Sequence, residues 1–298
     1  MGSKYFTSRY PDLLKYRFAH IVRSSFSFYR PVLLMYLIQA SIALAIGFQV
    51  FQVLETSFGA SMAKEDLLLG FDRTVFADLF NYHGGSLAPI IGIFRWILLF
   101  YIPVYLFLQS GLIYSILFNK KDLISFFFGG AKYFKKVSIL GLLSFVSMLL
   151  VSILLWGVFL ALSDNPLEGV VSEQPFFYQM IGVMVIWVFL MPAIWFPFFV
   201  AKCLTIKEEL DLRPSIRRGF QLGLSNFKSL FALTLSVMGI QVLFILMGNF
   251  ISEDRGAYSY AFILFVFFLQ QAFIVLRIFV KVFFYKSIIF LTTYKLVE

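Results

Sequence analysis

Six apolar runs divide this chain into seven polar segments, and the basic residues gather in alternate ones. The first, third, fifth and seventh segments, the last counted from Arg277 at the end of the sixth run, carry 21 of the 25 Lys and Arg, while the segments between them carry 10 of the 16 Asp and Glu. This sorting constrains the fold more than any motif does, because Lys and Arg are retained on the cytoplasmic side during membrane insertion. A helix needs about 20 apolar residues to cross the hydrocarbon. The runs that qualify are Pro31–Val53, Pro89–Leu117, Val137–Leu162, Gln179–Ala201, Leu230–Ile251 and Tyr260–Phe283. Backbone groups in lipid must be satisfied internally, which permits helices or closed barrels, and the ten-residue alternation of barrel strands is not visible. The expected fold is therefore all-α: one integral membrane domain over residues 1–298, a six-span polytopic helix bundle.

Composition agrees with that class. The 298 residues are 60% hydrophobic and 14% charged, with mean hydropathy +0.87, well below the roughly 25% charged content of soluble domains. The net charge of +9 raises nucleic acid as a partner. Attraction to anionic headgroups, about 1 kcal/mol for each basic residue near the surface, explains it without one, so no nucleic acid is expected. A single cysteine, Cys203, excludes an intramolecular disulfide and reads as a packed thiol, with S-acylation the alternative. About 30 mixed residues precede the first run without a short h-region and cleavage site, so that run is expected to insert as an uncleaved anchor.

The charge count sets orientation. The N-terminal segment carries Lys4, Arg9, Lys15, Arg17, Arg23 and Arg30; the loop after span two carries Lys120, Lys121, Lys132, Lys135 and Lys136. The loop after span four carries Lys202, Lys207, Arg213, Arg217, Arg218 and Lys228, and the C-terminal end Arg277, Lys281, Lys286 and Lys295. Both termini are expected in the cytoplasm, with the protein in a bacterial cytoplasmic (inner) membrane.

Three basic segments end in an aromatic–basic pair at the membrane boundary: Tyr29-Arg30, Phe134-Lys135 and Phe227-Lys228. A small residue, Ser25, Gly130 or Gly223, stands four positions before each aromatic. Amphipathic stretches lie upstream at Leu13–Arg23, Leu123–Tyr133 and Ile216–Asn226, and Pro103 and Pro197 fall at matched distances before the second and third pairs. The preferred reading is three tandem units, approximately 8–118, 119–206 and 207–298, each an interfacial helix followed by a two-span hairpin. The local alternative is that aromatic and basic residues mark any membrane boundary. This organisation resembles the polytopic membrane domain associated with glycerophosphoryl diester phosphodiesterases, and related uncharacterised bacterial inner-membrane families. The resemblance implies a fold over most of the chain. It carries over no catalytic residue, because the soluble phosphodiesterase domain is not in this sequence.

Opposite the basic side, Leu54–Leu87 is long for a hairpin connection. Phe71, Phe76, Leu79 and Phe80 have helical spacing, and Gly84-Gly85 is expected to end that helix before span two. A partner surface and a simple lid are equal readings of it. The loops Ser163–Phe177 and Ser252–Ser259 read as polar turns.

Catalysis needs convergent titratable groups, and the sequence offers few. His20 and His83 fall on opposite sides, and the expected spans hold no Asp or Glu in their cores. The string Glu208-Glu209-Leu210-Asp211-Leu212-Arg213 looks like the EExxxR signature of intramembrane CAAX-type proteases. No histidine follows His83, so the string reads as charges paired in water. The expectation is no enzyme, no catalytic residue, no cofactor and no metal site.

The candidate contacts are instead with lipid or solute. Gln39, Gln109, Gln241, Gln270, Gln271 and Asn249 are expected to hydrogen-bond between helices at about 0.6 kcal/mol each, with Gln39 and Gln241 alternatively lining a cavity. Arg95 binds a headgroup or snorkels to the interface, and Arg277 and Lys281 have the same two readings. Ser41/Ala45 and Ala43/Gly47 permit close helix approach, and Pro103, Pro192 and Pro197 are expected to kink their helices. Tyr29, Arg30, Phe134, Lys135, Phe227 and Lys228 form the candidate inner-leaflet interface. The preferred function is a non-enzymatic scaffold or accessory subunit interacting with membrane lipids, anionic headgroups above all, and with a membrane-protein partner or a second copy. The alternative is a transporter of a lipid or other amphipathic solute.

Overall fold

The computed structural model describes residues 21–58, 73–162, 174–252 and 260–294. Among these residues the fold is all-helical, with no strand. After a short helical turn at 21–26 come α1 (Tyr29–Phe58), α2 (Arg73–Leu117), α3 (Leu123–Leu162), α4 (Gln174–Lys207), α5 (Leu212–Ser225), α6 (Phe227–Ser252) and α7 (Tyr260–Tyr294). Among the described residues, five segments are long and apolar enough to cross a membrane: Tyr29–Gln52, Phe94–Leu117, Leu123–Ala161, Phe177–Lys207 and Phe227–Gly248. The sixth expected run lies in α7, which is helical throughout but is not among the five.

Local chemistry fixes the helix ends at the basic side. Asn119 takes a left-handed φ of 51°, and the Lys120 and Asn119 amides donate to the carbonyls of Ser115 and Ile116 at 2.9 and 3.3 Å. This Schellman arrangement satisfies the last carbonyls of α2. Asp122 then caps α3 by accepting the Ser125 amide at 2.7 Å. Asn226 interrupts the chain between α5 and α6, its side-chain amide donating to the Leu222 carbonyl at 2.9 Å.

Two expectations about boundaries are corrected. Gly84-Gly85 does not end a helix; α2 runs through it for 45 residues. A glycine in a helix interior costs about 1 kcal/mol relative to alanine, which does not by itself end a helix. Likewise Leu123–Tyr133 is not a separate interfacial helix but the first part of the 40-residue α3, because no cap or breaker follows it as Asn226 follows α5. The helices also continue through Pro103, Pro192 and Pro197. Leu13–His20, Ser163–Glu173 and the segment 59–72 lie outside the described residues.

The chain forms two compact units, residues 1–32 with 106–298, and Leu33–Tyr105. In the larger unit, packing is tight at the basic ends of the helices and loose at the other ends. Phe126, Leu140, Phe196, Phe199, Ile206 and Ile288 are fully buried, whereas Leu154, Trp156, Met184, Leu243, Phe265 and Phe268 are exposed. Between the loose halves of α3 and α4 lies an apolar cavity of about 300 Å³ lined by Trp156, Phe159, Met184 and Trp187.

Glycines permit the tight approach. A Cβ at Gly219 would stand 2.5 Å from the Pro197 carbonyl oxygen and 2.8 Å from Ala201 Cβ, and one at Gly223 would meet Pro197 Cα at 2.9 Å. So α5 lies backbone to backbone on α4, and Leu140, Phe198 and Ala201 form a cluster with Leu212 and Ile216 against it. The same device seats α3 on α2: a Cβ at Gly111 would be 2.5 Å from the Phe126 carbonyl oxygen, and one at Gly130 2.8 Å from the Phe107 ring.

In the smaller unit, Ser41, Ala43, Ala45 and Gly47 are exposed and nothing lies within 4 Å of a Cβ at Gly47. The close helix approach expected on this face of α1 is therefore not made within the unit.

Candidate functional site

The polar centre of the larger unit is built by three helices. Lys202 of α4 donates its ammonium to Gln109 Oε1 of α2 at 3.0 Å, and Gln109 Nε2 donates to the Tyr285 hydroxyl of α7 at 3.0 Å. All three residues are buried, Lys202 at 5% exposure. Aromatic side chains seal them: Phe199 and Trp195 lie 4.6 and 6.5 Å from the Tyr285 ring, and Trp195 stacks on Phe284 at 5.7 Å. Lys281 Nζ lies 5.7 Å from the same Tyr285 ring. Cys203, next in the chain, is a buried free thiol.

Around this hub the second and third leading segments pack on the helix that precedes each. Phe134 meets Phe107 at 6.2 Å, and Phe227 meets Phe196 at 6.1 Å. The N-terminal turn packs on the end of α7: Phe26 lies 5.0 Å from Phe279, and Lys286 donates to Ser24 Oγ at 2.6 Å while standing 5.0 Å from the Phe28 ring. Ser25, Gly130 and Gly223 are all buried in these contacts.

Lys135 and Lys228 are exposed, as are both Tyr29 and Arg30, which hold each other with Arg30 Nε donating to the Tyr29 hydroxyl at 3.1 Å. In the first segment the packed ring is therefore Phe28, one position earlier than the pair. The shift follows from the turn at Ser27-Phe28, which rotates the register before α1.

The acidic string after α4 is a clasp. Glu209 accepts from Lys132 Nζ at 2.6 Å and from the Tyr133 hydroxyl at 2.9 Å. Asp211 pairs with Lys136 at 3.1 Å, and Glu208 with Arg218 at 2.8 Å. Glu209 has a left-handed φ of 52°, so the clasp holds a turn that a non-glycine residue seldom adopts. The hydrogen bonds from Lys132 and Tyr133 keep the Glu209 carboxyl below its ordinary range.

The other sequence candidates are dispersed. In the smaller unit Gln39 and Tyr101 are the polar members of a groove of about 320 Å³ that Ile42, Ala43, Ile46, Phe94 and Ile97 complete. Arg95 is exposed, its guanidinium 5.9 Å from the Trp96 ring, and does not line that groove. Gln241 is half-buried on α6, and Arg277 and Gln270 are exposed on α7. The side chain of Asn249 lies outside the described residues. Among the described residues no group of His, Cys, Asp and Glu is arranged to hold a metal.

Sequence reasoning anticipated an interhelical bond from Gln109 but missed Lys202 and Tyr285 as its partners. No family model, no curated protein and no solved structure matches the chain.

Proposed function

We propose that this chain is a non-enzymatic integral membrane scaffold or accessory subunit that binds anionic lipid headgroups along its cytoplasmic face. The observation that carries the reading is the mixed surface of the leading segments. On α5, Arg213, Arg217 and Arg218 are exposed beside exposed Phe220 and Leu224; before and within α3, Lys120 and Lys121 are exposed beside Ile124, Phe127 and Phe128. Basic heads with neighbouring apolar side chains match a headgroup layer over acyl chains.

The six crossings, the cytoplasmic termini and the three tandem units belong to this proposal. In support of the units, the second and third leading segments pack on the preceding helix and the first on the end of α7, and the small residue of each is buried. The likeness to the phosphodiesterase-associated membrane domain is carried in the same sense, as is a membrane-protein partner or second copy.

The test is lipid retention. The purified full chain, exchanged into mixed phosphatidylglycerol and phosphatidylcholine, should retain the anionic lipid in excess, and R213Q/R217Q with K120Q/K121Q should lose most of that excess. Equal retention of both lipids by the unaltered chain contradicts the reading. A transporter of an amphipathic solute is the second reading, favoured by the groove that Gln39 and Tyr101 line. Flux of such a solute across proteoliposomes, abolished by filling the groove with Ala43→Phe, would support it.

A further inference from the structure

Three of the basic segments meet at one point on the larger unit. Ser24 belongs to the first, Lys121 to the third and Lys286 to the seventh. A lysine just past the end of an apolar run ordinarily extends its ammonium into water. Lys286 instead donates to Ser24 Oγ at 2.6 Å and stands 5.0 Å from the Phe28 ring. The Ser24 hydroxyl donates in turn to the Ile21 carbonyl at 3.0 Å, so it meets Lys286 as an acceptor. An ammonium has three donors, and Ser24 takes one of them. Burial lowers the Lys286 ammonium to about 8, and the charge of Lys121 acts in the same direction.

Two ammoniums within reach of each other, one of them partly out of water, carry a cost that a shared anion relieves. Among the described residues of the larger unit the carboxylates are Asp122, Glu208, Glu209 and Asp211, and each is engaged elsewhere. Glu208, Glu209 and Asp211 pair with Arg218, Lys132 and Lys136 on the clasp. Asp122 accepts from Ser125, and the cation acting on it is Lys120. The junction is also open to the outside: Lys121 is exposed, and Lys286 and Ser24 are half-buried. An anion therefore reaches both ammoniums without displacing a buried side chain. Phe26 and Ile124, on the segments that carry Ser24 and Lys121, are exposed and offer acyl chains an apolar border.

We propose that this junction binds one phosphate-bearing anion, with Lys286 as its anchored ammonium and Lys121 as its exposed one. The proposal rests on the inner-face lipid reading and narrows it to one stoichiometric site. Lysine binds phosphate as a point charge, and two lysines from separate segments hold one phosphate group between them. A lipid headgroup reaches the junction from the leaflet; free phosphate reaches it from water.

The test uses the full chain in phosphatidylcholine nanodiscs, whose headgroups carry no net charge. Short-chain phosphatidylglycerol or inorganic phosphate is added against chloride at fixed ionic strength, and thermal midpoint and bound mass are read. The expected result is a saturable rise in midpoint with one adduct per chain. K286Q and K121Q should each weaken this binding about tenfold, the loss of one charge-assisted hydrogen bond. The glutamine of K286Q keeps a donor for Ser24 Oγ. Lys121 is exposed, so K121Q serves if K286Q does not fold. Response to phosphatidylglycerol alone assigns a headgroup; response to inorganic phosphate as well assigns a free phosphate group.

No saturable response to either probe overturns the proposal, as does unchanged affinity in K121Q or in folded K286Q. R213Q/R217Q, on α5, separates the two readings. If that variant loses excess anionic lipid while K286Q and K121Q bind the probes as the unaltered chain does, the junction proposal fails and the surface reading stands. A probe response lost in K286Q and K121Q, with equal retention of both lipids by the unaltered chain, overturns the surface reading alone.

Discussion

Lys202 and Gln109, 93 residues apart in sequence and equally placed before successive aromatic–basic pairs, hydrogen-bond to each other at 3.0 Å. The bond joins α2 to α4, and Gln109 extends it to Tyr285 of α7 at 3.0 Å. Lipid tails are as apolar as leucine, so helix association in a membrane draws on packing and interhelical hydrogen bonds. A buried polar chain shared by three helices fixes which faces meet.

Gln109→Leu should therefore be among the most damaging conservative-volume changes in the chain. It leaves a buried ammonium without its acceptor, a loss of about 2 kcal/mol. Tyr285→Phe removes the neutral hydroxyl that accepts from Gln109 and should cost about 1 kcal/mol. Denaturant unfolding of the two variants in the same detergent checks the order; equal costs contradict it.

Glycine substitutions should have opposite signs at two sites. Gly219→Ala drives a methyl into the Pro197 carbonyl and Ala201, an overpacking expected to cost about 1–3 kcal/mol. Gly182→Ala, on the loose half of α4 with nothing within 4 Å, should stabilise by about 0.5–1 kcal/mol through helix propensity. Thermal midpoints of both variants test the pair.

The clasp should weaken in acid. Glu209 has its carboxyl lowered from the ordinary 4.5 by the hydrogen bonds from Lys132 and Tyr133. A group with a depressed folded value stabilises the fold above its unfolded value and loses that contribution as pH falls through the folded one. Stability should drop below about pH 4.5, and Glu209→Gln should flatten that drop while lowering stability at neutral pH. An unchanged pH profile in the variant would remove Glu209 from the account.

Asp122→Ala should fray the start of α3. Its carboxylate accepts the Ser125 amide at 2.7 Å and is held below its usual range by Ser125. Hydrogen exchange at Ser125 should accelerate in the variant while exchange in the middle of α3 stays unchanged.

Much of this architecture was legible before any coordinates. Hydropathy located the helices, and the small residues at 25, 130 and 223 marked where the chain packs closely. The hub was less legible for a physical reason. Lys202 stands at the end of an apolar run, where a lysine ordinarily snorkels outward; only its position relative to Gln109 pointed inward. Gly84-Gly85 misled because glycine serves as a helix C-terminal cap but is also tolerated in a helix interior at about 1 kcal/mol each, and α2 runs through it. The Glu208–Arg213 string was rightly read as paired charges, but its partners include Lys132 and Lys136, distant in sequence and invisible to a local motif.

The central claim is that the basic segments share one side of the membrane, and sidedness of labelling tests it most directly. In a Cys203→Ala background, single cysteines would replace Lys120, Arg213, Asp164 and Asp254, the last two outside the described residues. A membrane-impermeant maleimide would then be applied to intact cells and to inverted vesicles. The account predicts that positions 120 and 213 label only in inverted vesicles and positions 164 and 254 only in intact cells. Labelling of 120 and 213 from opposite sides would contradict it.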